Sequence, residues 1–388
     1  MSAEWQGYGG EQRLGGNILT ADGWLLGDIV WRDGVITAIE GEPVDPGTND
    51  RDIILPGFID LHVHGGGGAD LMEGGESLAT LACAHVRFGT TSLLGTSMTA
   101  TRETLETALA DAGRIMRAPP VDGADLLGIH LEGPFINPDR LGAQPPHARA
   151  GTLAEFDVLD ALAPIRVVTL APEIDGHTAL IAALSERGVR VQIGHSAADY
   201  GCCCAALTAG ASGFTHLYNA MSGLHHRDAG VVGAALAHAD YCEMIADLIH
   251  VEMGALLAAR RAISNLYAVT DATAAAGMPD GEYRLGEQRV YKCGETVRLA
   301  DGALAGSALT MDRALRNLVS LGLSVAEASA WLSTRPARYL GLSDRGELAV
   351  GRRADLVCLS PRLEVHCVQV AGRQIALHKA PCQGNGDS

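Results

Sequence analysis

The sequence predicts an α/β protein, a closed (β/α)8 barrel of the TIM type with a small discontinuous β-sandwich domain formed by the N- and C-terminal segments. Three observations carry this. The middle of the chain alternates apolar, β-branched runs with Ala/Leu-rich stretches of helical character, and eight such runs can be counted. Imidazoles and carboxylates recur at the C-terminal ends of those runs, where a barrel gathers its active groups. Each chain end carries a group of short strands too small to hold a core alone, so the two ends are expected to pair.

Residues 12–56 form the first part of the small domain, with strands expected at 17–20, 24–26, 28–31 and 35–39. Asp33-Gly34 between apolar runs is a hairpin turn signal. The barrel is expected over 57–344, its first strand lying in the run 53–64, which ends His62-Val63-His64. Further strands are expected at 90–96, 126–131, 166–170, 189–194, 213–217, 243–249 and 266–270, with helices such as 77–88, 101–116 and 178–187 between them. A doubly wound open sheet is the alternative, but no Gly-rich dinucleotide fingerprint opens this region. The segment 345–380 completes the small domain with strands near 346–351, 354–359 and 365–370.

A chain of 388 residues with 47% hydrophobic content has ample material for one large core, and a single barrel can exceed about 250 residues. The net charge of −17 argues against nucleic acid or an anionic membrane as partner. It also requires a local basic cluster for any anionic substrate. No apolar run approaches the roughly 18 residues of a membrane span, and residues 1–5 lack the layout of a signal peptide. The nine cysteines show no C-x-x-C pair; Cys202-Cys203-Cys204 reads as small thiols packed inside a cytoplasmic protein.

The chemistry lies at the strand ends. Alternation puts His62 and His64 on one face of the first strand, with Val63 opposite. The third strand ends His130-Leu131-Glu132-Gly133-Pro134, the fifth Gly194-His195-Ser196, the sixth carries Thr215-His216-Leu217-Tyr218-Asn219, and the eighth ends Thr270-Asp271-Ala272. Four imidazoles and two carboxylates in these places could hold one or two divalent cations. Glu132 has two oxygens with which to bridge two ions, and Asp271 could serve as both ligand and proton acceptor. A metal lowers the pKa of bound water towards about 7, supplying a nucleophile for a carbonyl. The bland readings are a hydrogen-bonded structural histidine, the role assigned here to His130, and a helix cap for Asp271. Such readings would have to hold independently at five strand ends.

With these motifs the sequence resembles the amidohydrolase superfamily and, within it, the N-acetylglucosamine-6-phosphate deacetylases. General superfamily features are Leu55-Pro56-Gly57-Phe58-Ile59-Asp60, His62, His64, Arg335-Pro336-Ala337 and Ala354-Asp355-Leu356-Val357. More specific are His130 to Asn137, Gly194-His195-Ser196, Thr215 to Met221, Leu304-Ala305-Gly306-Ser307 and Val269 through Gly281. The resemblance implies removal of the acetyl group from an amino-sugar phosphate, giving glucosamine 6-phosphate and acetate. It assigns the principal metal to Glu132, His195 and His216, and a second ion to His62, His64, Glu132 and Asp271. Zinc is the first choice, with iron also accepted by such sites. Asp271 is implied as general base and then acid. Arg227, His250, Asn219, Ala220, Leu304 and Ala305 are implied in substrate binding, within a homodimer whose basic loop, Leu224-His225-His226-Arg227, could reach a neighbour's site.

Two departures bear on the sugar. Gln144 stands where the family's Gly-Ala-His carries a substrate-contacting histidine, with His147 three residues on, and Ser222 replaces a usual proline. The open alternatives are N-acetylgalactosamine 6-phosphate or an unphosphorylated amino sugar as substrate, and a catalytically inactive binding protein. A cyclic-amide hydrolase would need a lysine bridging two metals after a barrel strand, and neither Lys292 nor Lys379 has that place.

Overall fold

Asp33 and Gly34 both take positive φ, 51° and 79°, as a two-residue I′ turn requires. The hairpin they close joins Gly23–Arg32 to Val35–Pro43 in the computed structural model, which describes residues 10–377. Residues 1–5, Lys379 and the last positions of the expected 345–380 segment lie outside the described residues. Gly27 does not break the strand into 24–26 and 28–31. The strand runs through it because Glu40 O of the neighbouring strand fills the space a Cβ would need.

Both chain ends enter one seven-stranded sheet, as the sequence leads one to expect. Its order is Arg373–Gln374, Val365–Val370, Leu356–Leu359, Ile53–Pro56, Glu11–Thr20, Gly23–Arg32, Val35–Pro43. The sheet curls until its edges approach. Val35 bridges Arg353, and Trp31 Nε1 donates to Gly372 O at 3.0 Å. Ile18, Ile29, Trp31, Ile36, Ile54 and Leu356 fill the enclosed core.

The barrel strands follow chain order. Phe58–Val63, Thr90–Thr96, Asp125–Glu132, Ile165–Leu170, Arg190–Ile193 and Gly213–Phe214 form a parallel run. Tyr241–Ile245 and Asn265–Val269 form a parallel pair. Leu217 N donates to Glu243 O at 3.0 Å on one side of that pair, and Asp271 N to His62 O at 2.9 Å on the other, which closes the ring. Helices cover it with apolar faces at helical spacing; Leu105, Ala108, Leu109 and Ala112 of Arg102–Arg117 are all buried.

The segment expected as a strand near 346–351 forms only an isolated bridge, Leu348 to Thr20, and three barrel boundaries differ from expectation. The run 53–64 is two strands, because at Gly57 the chain leaves the terminal sheet for the barrel. The sixth strand stops at Phe214, since His216 takes a left-handed backbone, φ 28°. The seventh stops at Ile245, where Asp247 captures the amides of Ile249 and His250. The sequence reading also missed a three-stranded antiparallel sheet, Gly281–Leu285, Gln288–Cys293 and Thr296–Arg298. It packs Leu285, Val290 and Val297 against Met98, Ala275 and Ala305.

Gly57 is where the two units join. Its N–H donates to Asp355 O at 2.9 Å, and a Cβ there would collide with the buried Thr91 side chain. Gly57→Ala should therefore lower unfolding stability by about 1–3 kcal/mol, the usual cost of overpacking, as read from denaturant melts.

Candidate metal centre and active site

The site is built from residues held where strands end. His62 and His64 leave the first strand on the same face, with their Nε2 atoms 3.2 Å apart. His195, His216 and Asp271 follow the fifth, sixth and eighth strands with φ of 47°, 28° and 50°. Left-handed backbone at a residue with a side chain costs about 1–3 kcal/mol and persists only where its surroundings enforce it. Here Asn219 N donates to His216 O at 3.0 Å, and Ser307 N to Asp271 O at 2.7 Å.

Glu132 divides its two oxygens between two groups. Oε1 lies 3.1 Å from His195 Nε2 and 2.9 Å from His216 Nε2. Oε2 lies 3.2 Å from His64 Nε2 and 3.6 Å from His62 Nε2. Asp271 Oδ1 completes the second group, 3.2 Å from His64 Nε2 and 3.5 Å from His62 Nε2. Ligand atoms bonded at about 2.0–2.1 Å to a tetrahedral ion sit about 3.3 Å apart, so both groups have the right spacing for a cation.

Ring protons support the same reading. His195 Nδ1 faces Arg140 O at 2.8 Å, His64 Nδ1 faces Thr96 O at 3.2 Å, and His62 Nδ1 faces Glu243 Oε2 at 3.0 Å. A proton on each of those nitrogens leaves Nε2 with a lone pair aimed into the cluster. His195 Nε2 then meets Glu132 Oε1 at 3.1 Å, and His64 Nε2 meets Glu132 Oε2 and Asp271 Oδ1, each at 3.2 Å. Facing acceptors repel unless a cation or extra protons intervene. The donor set thus fits a divalent metal.

Charge in the site follows. Burial works against charging His62 and His64, yet the Glu132 and Asp271 carboxylates outweigh it and raise both, His64 to about 9. Burial alone would raise Glu132 and Asp271, but the imidazoles, His62 foremost, hold both below the usual carboxylate range. The pocket keeps its carboxylates ionised and draws positive charge, which bound cations can supply in place of protons.

Beneath the cluster runs a buried polar network. Glu243 Oε1 accepts from Tyr267 OH at 3.3 Å, Gln192 Nε2 donates to that hydroxyl at 2.8 Å, and Thr215 Oγ1 donates to Gln192 Oε1 at 2.8 Å. Thr169 joins Thr215 to His130 Nε2, each at 2.7 Å. His130 Nδ1 faces Leu61 O at 3.0 Å, and burial pushes this ring down to about 4. His130 lies in the network, below the cleft. Asp60 fixes the end of the eighth strand, accepting from Thr270 Oγ1 at 2.6 Å, and burial raises its carboxyl to about 7.

A cleft opens over the cluster, and His64, Glu132, His195, His216 and Asp271 line it. Gln144, Asn219, Ala220, His250 and Leu304 face it too. Gln144 is held at both ends, donating from Nε2 to Glu132 Oε2 and accepting from Thr99 N, each at 2.6 Å. His250 pairs with Asp247 Oδ2 at 2.6 Å. Ala305 lies beside the cleft wall with its side chain in the apolar cluster under the added sheet. Arg227 sits exposed on its loop against His226, away from the cleft lining. His147 is outside as well, bonded to Glu287.

The sequence reading missed Glu243, Asp247 and Asp60. Glu243 had a usable signal, because a lone carboxylate inside Cys242-Glu243-Met244-Ile245-Ala246 must find a buried partner. Met98 and Leu285 also line the cleft; nothing local marked them.

Comparison with known proteins agrees with this geometry. Residues 53–375 match the amidohydrolase family. The chain is 44% identical over 366 residues to the N-acetylgalactosamine-6-phosphate deacetylase of Escherichia coli O157:H7, covering 92% of this chain and 97% of the relative. It is 41% identical over 352 residues to the N-acetylglucosamine-6-phosphate deacetylase of Bacillus subtilis (strain 168), covering 86% and 88%. Among solved structures, the Thermotoga maritima N-acetylglucosamine-6-phosphate deacetylase superposes with a TM-score of 0.85 at 32% identity, covering 93% of this chain and 98% of that one. An aspartate-to-alanine mutant of the Mycobacterium smegmatis enzyme, in complex with N-acetyl-D-glucosamine 6-phosphate, gives 0.83 at 33%, covering 92% and 97%.

Glu243→Gln should keep the fold while removing the charge that orients His62. Metal affinity on the His62/His64 side should fall about 10- to 100-fold, the usual effect of losing such a partner. Competition with a chromophoric chelator reads this, and unchanged affinity would remove Glu243 from the role.

Proposed function

This chain belongs to the amidohydrolase family and groups there with hexosamine-6-phosphate deacetylases, and on that premise we propose that it hydrolyses N-acetyl-D-glucosamine 6-phosphate to D-glucosamine 6-phosphate and acetate. The observation that carries the proposal is the division of Glu132 between two imidazole groups, with Asp271 beside them at the floor of the cleft. The E. coli relative favours a second reading, N-acetylgalactosamine 6-phosphate as substrate.

Glu132, His195 and His216 would hold the principal cation, and His62, His64 and Asp271 a second one that shares Glu132. Zinc suits this His/carboxylate set best, and iron is the alternative. When bound, such an ion supplies an activated water at neutral pH and polarises the acetyl carbonyl. Asp271, ionised and at the cleft floor, takes the water's proton and delivers it to the departing amine. Gln144 holds Glu132 Oε2 and presents a neutral amide to the substrate. Asn219, Ala220, Leu304 and Ala305 shape the sugar site, Ala305 through the wall it supports.

His250 would meet the phosphate from the cleft wall, beside the Asp247 carboxylate. Burial opposes its protonation, but the Asp247 hydrogen bond and charge win and raise its pKa above 6.5. Phosphate binding by protonated His250 is then fully present below pH 6.5 and lost as pH rises through the raised pKa. Arg227, exposed beside Leu224, suits the phosphate by its planar donors and would act across a homodimer, in the partner's cleft. A cytoplasmic setting suits buried, unoxidised thiols such as Cys203 and Cys242.

Three outcomes test this reading. Asp271→Asn should retain fold and metal and lower kcat by about 10²–10⁴-fold, the span of general acid–base catalysis; full activity would sink the assignment. His250→Asn should raise KM about tenfold or more, in line with the roughly 1.5–3 kcal/mol of a hydrogen bond to a charged group, and flatten the rise of KM at alkaline pH. Acetate release should strongly favour the 6-phosphates over free N-acetylglucosamine, and the ratio of gluco to galacto turnover decides between the two sugars.

A further inference from the structure

Far from the cleft, a second set of ligand-type atoms converges in the terminal sheet. Cys358 lies on Leu356–Leu359, His366 on its partner Val365–Val370, and Asp52 just before Ile53–Pro56. Cys358 Sγ is 3.2 Å from His366 Nε2, and Asp52 Oδ2 is 3.4 Å from the same nitrogen. Strand alternation would send His366 and Cys367 to opposite faces. The register instead steps from Cys358↔Cys367 to Leu359↔Val365, and this bulge sets both residues against Cys358. One proton on Nε2 can serve the thiol or the carboxylate, whereas a cation serves all three groups. Tetrahedral zinc, with sulfur at about 2.3 Å and nitrogen or oxygen at about 2.0 Å, spaces its ligand atoms about 3.3–3.6 Å apart. Both distances to His366 Nε2 are close to that, and all three ligand atoms lie within 4.8 Å of one another.

We propose that Asp52, Cys358 and His366 form a further divalent-metal site, of the borderline-soft class that takes zinc or cobalt. Cys358 binds as thiolate and its proton passes to solvent. Cys358 is buried while His366 is exposed, so an ion has access from the His366 side. The ion would tie the approach to Ile53–Pro56 to the C-terminal hairpin, joining segments near opposite ends of the chain.

Cobalt(II) tests this on the whole protein, because the groups around Glu132 offer nitrogen and oxygen only, and a thiolate-to-cobalt charge-transfer band reports a cysteine ligand. The expected result is a saturable near-ultraviolet band in the wild type that is lost in Cys358→Ser and kept in Cys203→Ser. His366→Ala, altering an exposed residue, should fold normally, keep deacetylase activity, lose the band and bind one metal equivalent fewer. Absence of the band in the wild type, its persistence in Cys358→Ser, or wild-type metal content in His366→Ala would each overturn the proposal.

Discussion

Glu132 places one negative charge between four imidazoles in a position that is only 2% exposed. An isolated carboxylate in such a place is costly, and it survives ionised only when fully partnered. Every contact it makes is supplied by a different structural element: the His62/His64 strand end, the turns at His195 and His216, and the loop that carries Gln144. The carboxylate can divide its oxygens between two groups because the barrel brings these elements to one point. Without the ring, none of the pairs would be close.

The strand ends are also where backbone strain gathers. Three site residues take left-handed φ; backbone bonds from Asn219 N and Ser307 N hold two of them, and a polar network beneath supports the strands they follow. That network crosses the barrel from His62 and Glu243 through Tyr267, Gln192, Thr215 and Thr169 to His130. Asp60 does the same for Thr270, next to Asp271. In the proposed reaction the groups for proton and metal chemistry sit at strand termini. Those that would select the sugar phosphate, His250, Asn219 and Arg227, sit on loops, where variation is tolerated.

Much of this was legible in the sequence. The eight barrel strands, the pairing of the chain ends and the Asp33-Gly34 turn are local signals, set by periodicity and turn chemistry. His62, His64, Glu132, His195, His216 and Asp271 are brought together as expected, because strand termini in a barrel have one common address. Non-local facts were harder to read. Glu243 partners His62 from a strand 181 positions away, and no pattern within the seventh strand says which group it meets. The antiparallel sheet after the eighth strand turns on Gly286-Glu287 and Gly294-Glu295, whose glycines have φ of 55° and 57°. Both are two-residue hairpin turns hidden in a polar stretch that looked like loop. Arg227 was chosen for its chemistry, and chemistry alone does not say whether a side chain points inward.

The place of Ile53–Pro56 in the terminal sheet has a consequence for biosynthesis. It pairs in parallel with Glu11–Thr20 and antiparallel with Leu356–Leu359. As the chain is made, this strand emerges 300 residues (356 − 56) before its second neighbour. Until that neighbour arrives its open edge, Ile53-Ile54-Leu55, is an apolar template of the kind that aggregates. The nascent protein therefore carries an aggregation hazard in the small domain, and the arrival of Leu356–Leu359 is the event that removes it.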